Sequence, residues 1–222
     1  MRDTSIPVED LYSRIPYETK GDHRVFEIFY ATNRTKDITY SFLDVKIDPY
    51  VRIGKMSPNR LKRSGIVGVQ DIRKAGEDSF LKELASAVKN SPHHSLLVLV
   101  FGYKDNFEAT AIKAAYFTYL LDVNTPVLLF DWPGDQPVSI AGYEKARSLA
   151  TASGPYLGGL LAQIIRKIKP ERLWIHSSSL GCQVVCDAFD YMYKHNDLSD
   201  KETEIAEVML ASPDVGQDEF DE

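Results

Sequence analysis

Along residues 78–211 the hydrophobic and polar positions switch repeatedly between two spacings. Residues 78–89 place Phe80, Leu81, Leu84, Ala85 and Val88 at helical intervals, and Asn90-Ser-Pro92 ends them. Residues 96–101 are continuously apolar, as expected of a strand buried on both faces. Gly102-Tyr-Lys is a turn, after which Asp105 is the expected cap of a helix running to about Leu121, with Glu108 as its capping-box partner. Residues 126–130 predict a second buried strand. A helix over 140–153 is expected to break at Gly154-Pro155, with another over 156–168. Residues 172–175 predict a third strand and 180–194 a helix. Residues 204–211, with apolar Val208-Met-Leu, predict a fourth strand.

The first third of the chain is less regular. Residues 1–24 are polar and punctuated by prolines, and read as an irregular arm. Residues 25–30 form a β-rich run ahead of a turn at Ala31-Thr-Asn-Arg34. Residues 41–47 alternate in part, like a half-exposed strand, and 50–53 suggest another. Pro58, Gly65 and Gly68 mark loops between these pieces.

Strand and helix alternating over 78–211 are the signature of an α/β fold: a mostly parallel sheet with helices on both faces. Ligands in such sheets bind beyond the C-terminal ends of the strands, so the loops after Phe101, Phe130, Ile175 and Ala211 hold the candidate chemistry. Composition removes several alternatives. Of 222 residues, 44% are hydrophobic and 26% charged, which is ordinary globular usage. A net charge of −6 argues against a general nucleic-acid binder. Cys182 and Cys186 are too few for a disulfide framework, lack the neighbours of a metal site, and are expected to be buried thiols. The N-terminus has no signal-peptide core, and the apolar run at 96–101 is far below the roughly 20 residues of a membrane span. A reducing cytoplasm is the expected location.

The turn after Ile175 reads His176-Ser177-Ser178-Ser179-Leu180-Gly181 between a strand and a helix. The nucleophile elbow G-x-S-x-G occupies that context, with small residues where strand and helix backbones come close. Alignment on Gly181 makes Ser179 the nucleophile, puts Ser177 at the first glycine and makes the Leu180 N–H an oxyanion donor. The same serine-rich turn also suits a helix cap or a phosphate site. Phe101-Gly102-Tyr103, after the first buried strand, stands where a second oxyanion N–H arises. Trp132, beside Tyr143, is a candidate aromatic wall for an acyl or aryl group, with core packing as the alternative.

Five segments in order then carry a resemblance. They are Tyr30-Ala-Thr-Asn-Arg34, Gly102-Tyr103 with Phe107-Glu-Ala109, Phe130-Asp-Trp-Pro133, Ser177-Ser-Ser-Leu-Gly181 and Ala211-Ser-Pro-Asp214. With them the chain resembles a bacterial α/β-hydrolase family of uncharacterised function, from about residue 25 to the end. The resemblance implies a single hydrolase-like three-layer domain over 25–222, Ser179 as nucleophile and Asp214 as the triad acid. It implies a small ester or amide substrate and no cofactor. Against the family pattern, Phe101 and Ser177 replace a histidine and a glycine, and the last strands and the triad histidine are missing.

None of the remaining histidines is a convincing base. His195 lies about 16 residues beyond Ser179 along one helix, roughly 24 Å away. His93 and His94 precede the strand at 96–101, at the sheet's opposite edge, near 20 Å from the oxyanion loop. His176 is expected to pack, hydrogen-bonded, into the helix layer, and His23 has no assigned position. A serine without a base is a poor nucleophile. Two readings follow: an esterase- or lipase-type serine hydrolase impaired in this chain, or a non-catalytic relative that binds a ligand or protein. Asp105, Asp122, Asp131 and Asp135 read as caps and solvated turns rather than metal ligands. The loop after Phe101 lacks the G-x-G-x-x-G of a dinucleotide site.

Overall fold

A computed structural model describes residues 18–20, 23–35, 37–47, 67–121, 124–195 and 205–216. The strands are β1 (Glu18–Lys20), β2 (His23–Thr32), β3 (Thr39–Ile47), β4 (Val67–Ala75), β5 (Ser95–Val100), β6 (Val127–Asp131), β7 (Arg172–Ser178) and β8 (Ile205–Ala211). The helices are α1 (Glu77–Asn90), α2 (Phe107–Leu121), α3 (Ile140–Gln163, followed by a π-helical turn Ile164–Ile168) and α4 (Gly181–His195). The sheet order is β4-β3-β2-β6-β5-β7-β8, with β1 paired to β2. Pairs β2–β6, β6–β5, β5–β7 and β7–β8 are parallel, and β3 runs against β2 and β4. This is the mostly parallel α/β sheet expected from the alternation.

Both faces are covered. Alternate residues of β5 and β6 point to opposite sides: Leu96, Val98, Val100, Leu128 and Phe130 pack with α1, α3 and α4, while Leu97, Leu99, Val127 and Leu129 pack with α2. Every residue of β5 and β6 is buried, which explains why these segments read as continuous apolar runs rather than alternating ones. No helix among the described residues is long and apolar enough to cross a membrane.

Several local expectations change. Residues 140–168 form one continuous helical unit through Pro155. The propensity penalty there is overridden by packing, because α3 lies tightly against α4, with backbone atoms of Asp187 and Ala188 close to Gly154 and Gly158. The cap of α2 is Asn106, whose Oδ1 accepts the Ala109 N–H at 3.0 Å, one residue later than expected. Asp105 instead pairs with Lys113 and gives its carbonyl to Arg34. Strand β3 is largely buried rather than half exposed, since α2 and α1 approach it from opposite faces. Gly68 lies within β4, not in a loop. Residues 1–24, expected to be an irregular arm, contain β1 and the start of β2. Residues 50–53, Pro58, Gly65 and Asp122 lie outside the described residues.

Candidate active site

The site is assembled where the sheet's C-terminal edge meets the first turns of α3 and α4. Ser179, directly after β7, has φ +53°, in the left-handed region that a serine enters only at a cost of about 1–3 kcal/mol. The strain is held by its neighbours. Ser179 N donates to Ala211 O at 3.1 Å, while Ser179 O accepts from Cys182 N at 2.9 Å and Asp214 N at 3.3 Å. The strand–turn–helix is thus closed into a sharp elbow with Ser179 half-buried at its apex. Lys104 (φ +81°) and Ser212 (φ +47°) stand in the same region at the ends of the loops beside it.

Two glycines make the close approach possible. A Cβ on Gly181 would lie 2.6 Å from Val100 O and 2.7 Å from Phe101 O, so only glycine lets α4 begin so near β5. A Cβ on Gly102 would lie 2.7 Å from Ser179 Cβ and 2.9 Å from Ser178 O. The loop after β5 therefore touches the elbow directly. Ser177, at the position of the first elbow glycine, is fully buried and donates to Val100 O at 3.0 Å. Its hydroxyl is used to tie β7 to β5.

Tyr103, the next residue of that loop, is braced by its OH donating to Pro137 O at 2.5 Å. Its ring meets Tyr143 edge-on at 5.9 Å between centroids. Tyr143 in turn donates to both carboxylate oxygens of Asp214, each at 2.9 Å. Burial first, and then the Asp214 carboxylate, push the Tyr143 phenol above its ordinary value, so it stays protonated as a donor through the neutral range. This Tyr103–Tyr143–Asp214 brace links three loops around Ser179. In the sequence Tyr143 stands out only as a neighbour of Trp132. The only signal for its partner was the sequence Ser-Pro-Asp after the last strand.

Trp132 is 2% exposed and donates from Nε1 to Phe101 O at 2.7 Å, where it supports the loop carrying Gly102 from below. The Tyr30-Ala-Thr-Asn-Arg34 segment does comparable work at the next strand. Asp131, 1% exposed, accepts Tyr30 OH at 2.7 Å, Arg34 Nε at 2.6 Å and Arg34 Nη2 at 3.0 Å. Arg34 also bonds Asp135 at 2.5 Å and the Asp105 carbonyl at 3.1 Å. The segment therefore clamps the ends of β2 and β6 to the loop after β5.

The described histidine side chains lie elsewhere. His176 is buried against Phe117 of α2, with ring centroids 4.4 Å apart, on the far side of β7 from α3 and α4. Contrary to the expectation of a hydrogen-bonded residue, its Nδ1 has no partner, and burial lowers its pKa. His94 bonds Glu171 at 2.8 Å, and His195 is stacked on Tyr191 at the end of α4. Cys182 is buried, with burial raising its thiol pKa, and Cys186 is half-buried. No cluster of three or more potential metal ligands exists among the described residues.

No curated protein and no solved structure matches the chain. Residues 76–222 match the family described as alpha/beta hydrolase of unknown function (DUF900). That span carries β5 to β8, the elbow, the Gly102 loop and Asp214, and its fold is the one observed. The chain belongs to this alpha/beta hydrolase family of unknown function.

Proposed function

We propose that the protein is a serine hydrolase of esterase type, acting on an ester or amide at Ser179. The observation that carries this reading is the left-handed Ser179 on a strand-to-helix turn, with Gly102 packed against its Cβ. Strain of this kind in a non-glycine residue concentrates at functional positions, because it costs stability and needs support from several neighbours. Ser179 Oγ attacks the acyl carbon as the carbonyl π electrons move to oxygen. The oxyanion is held by the N–H groups of Leu180 and Tyr103. Collapse expels the alcohol or amine, and water then releases the acid. Ser179's own N–H is spent on Ala211 O, which is why the neighbouring Leu180 is the donor on the elbow side.

In this reading Asp214 orients the base, Tyr143 fixes Asp214, and Trp132 fixes the oxyanion loop. The serine proton passes to a histidine and then to the leaving group. That histidine is none of His94, His176 and His195, whose rings lie against Glu171, Phe117 and Tyr191. The test is labelling of the intact native protein with a fluorophosphonate. Ser179 is expected to be modified, Ser179→Ala to abolish the label, and an unlabelled wild-type protein would refute the reading.

A second reading has its own observation. Asp214 already receives a hydroxyl from Tyr143 where a triad acid would face a histidine. In that case the crevice is a ligand- or protein-binding site without turnover. Ester hydrolysis that disappears in Ser179→Ala excludes it.

A further inference from the structure

The Tyr30-Ala-Thr-Asn-Arg34 segment lies before the residues 76–222 that carry the family match, yet its last residue reaches the loop beside Ser179. Arg34, just beyond β2, touches two loops at once. On the loop after β6, its Nε and Nη2 donate to Asp131 at 2.6 and 3.0 Å, and its Nη1 donates to Asp135 at 2.5 Å. On the loop after β5, its Nη2 donates to the Asp105 carbonyl at 3.1 Å. The planar guanidinium spans this set because its donors stand in a fixed fork, which a lysine ammonium does not reproduce. Its anchor is itself held. Asp131 is buried, accepts Tyr30 OH at 2.7 Å on its carboxylate, and accepts Thr32 Oγ1 at 2.6 Å on its carbonyl.

The loop that Arg34 reaches is strained. Lys104 has φ +81°, a conformation that a non-glycine residue keeps only when its neighbours enforce it. Three bonds tie this loop to residues 132–137. Trp132 Nε1 donates to Phe101 O at 2.7 Å, Lys104 N to Gly134 O at 2.8 Å, and Tyr103 OH to Pro137 O at 2.5 Å. Arg34 completes the enclosure from the other end, by holding the Asp105 carbonyl, while Lys113 of α2 pairs with the Asp105 carboxylate. Lys104 is thus pinned at its own N–H and at the next carbonyl. Its neighbour Tyr103 takes its backbone orientation from that pinned residue.

We propose that Arg34 is a positioning residue for the Tyr103 N–H, holding the loop after β5 in the strained shape that keeps this donor in place as charge develops on the substrate oxygen. Donors fixed in advance stabilise that charge without reorganising during the reaction. The proposal rests on the reading of Ser179 as nucleophile and Tyr103 as oxyanion donor; the bracing of the loop by Arg34 does not.

The test follows reaction of the intact protein with a fluorophosphonate over a range of concentrations. This separates KI for reversible binding from kinact for the step in which the Ser179 Oγ–P bond forms and the P–F bond breaks to release fluoride. Arg34→Lys keeps a cation beside the buried Asp131 and loses the fork. It is expected to lower kinact about tenfold or more at unchanged KI, since a misplacement of about 1 Å can cost about a hundredfold. Arg73→Lys, the same exchange at an exposed ion pair on β4, changes neither. Amide hydrogen exchange over residues 101–105 is expected to quicken in Arg34→Lys and not in Arg73→Lys. If Arg34→Lys does not fold, Arg34→Gln combined with Asp131→Asn, which leaves no buried carboxylate unpaired, is measured with the same expectations. Normal labelling with unchanged kinact, a rise in KI alone, or an equal loss in Arg73→Lys overturns the role of Arg34 and leaves the nucleophile standing. An unlabelled wild-type protein overturns the proposal together with the reading of Ser179, and faster loop exchange in Arg34→Lys then keeps the brace alone.

Discussion

At the scale of single residues, the fold holds several groups, inside the candidate site and outside it, where their own chemistry is unfavourable. Ser179 is in the left-handed region, and His176 is buried neutral with one ring nitrogen unpartnered. Tyr143 is the joint that holds Asp214, and Tyr143→Phe removes the donor to both carboxylate oxygens. That change is expected to lower stability by about 1 kcal/mol, at the modest end for a hydrogen bond to a charged group because the pair is only half-buried. A urea titration showing a shifted midpoint at constant slope checks it. His176 supplies a pH dependence of known sign. Its folded pKa is below the ordinary value of about 6.5, so the unfolded chain binds its proton first as pH falls. Stability from the neutral ring is complete above about pH 6.5 and is lost as pH falls toward the lower folded value. His176→Phe keeps the stacking on Phe117 and is expected to lose less thermal stability than wild type between pH 7.5 and 5. Equal acid sensitivity of the two proteins would contradict this account.

At the scale of elements, α3 differs most from its sequence expectation. Gly154-Pro155 reads as a break because proline removes a helical hydrogen bond and glycine costs backbone entropy. In the fold, the same glycine is required by the neighbouring helix. A Cβ on Gly154 would lie 2.3 Å from Asp187 Cβ, whereas one on Gly159 meets nothing within 4 Å. Gly154→Ala is therefore expected to destabilise by about 1–3 kcal/mol through overpacking. Gly159→Ala is expected to stabilise by roughly 0.5–1 kcal/mol through helix propensity. Opposite shifts in melting temperature for the two variants are the check, and shifts of the same sign would show that the α3–α4 contact is more pliable than its geometry. Helices α1, α2 and α4 were legible to within one or two residues, because each has one clear apolar stripe or buried flank and no competing breaker.

At the scale of the whole molecule, the two outermost strands among the described residues are unequal. Strand β4 carries Asp71, Arg73 and Lys74 and is irregular against β3, features that discourage further pairing. Strand β8 carries a single charge, Glu207, and exposes Val208 at 37% and Met209 at 48%. Register with β7 puts Val208 beside Ile175 and Met209 beside His176, so the exposed positions lie on both faces. Met209→Lys is expected to reduce concentration-dependent self-association in light scattering, with stability changed by no more than about 0.5 kcal/mol. Unchanged scattering would mean that β8 is not the sticky edge.

The sequence by itself determined the α/β class, the buried strands β5 and β6, and the strand-to-helix turn that holds Ser179. These are local properties: the apolar runs, the helical spacing of Phe80 to Val88, and Gly181 at the start of a helix all lie within a few residues of one another. It also singled out Gly102, Tyr103, Leu180, Trp132 and Asp214, through their places at strand ends and through the resemblance. Only the tertiary structure decided how those residues meet. The Tyr143–Asp214 pair spans 71 residues and the Arg34–Asp131 pair 97, distances over which periodicity carries no information. Nor could spacing alone show that α3 runs through Pro155, or that His176 lies against Phe117 with its Nδ1 unpartnered. Both follow from which neighbours occupy the surrounding space, and that is set when the sheet closes and the helices pack on it.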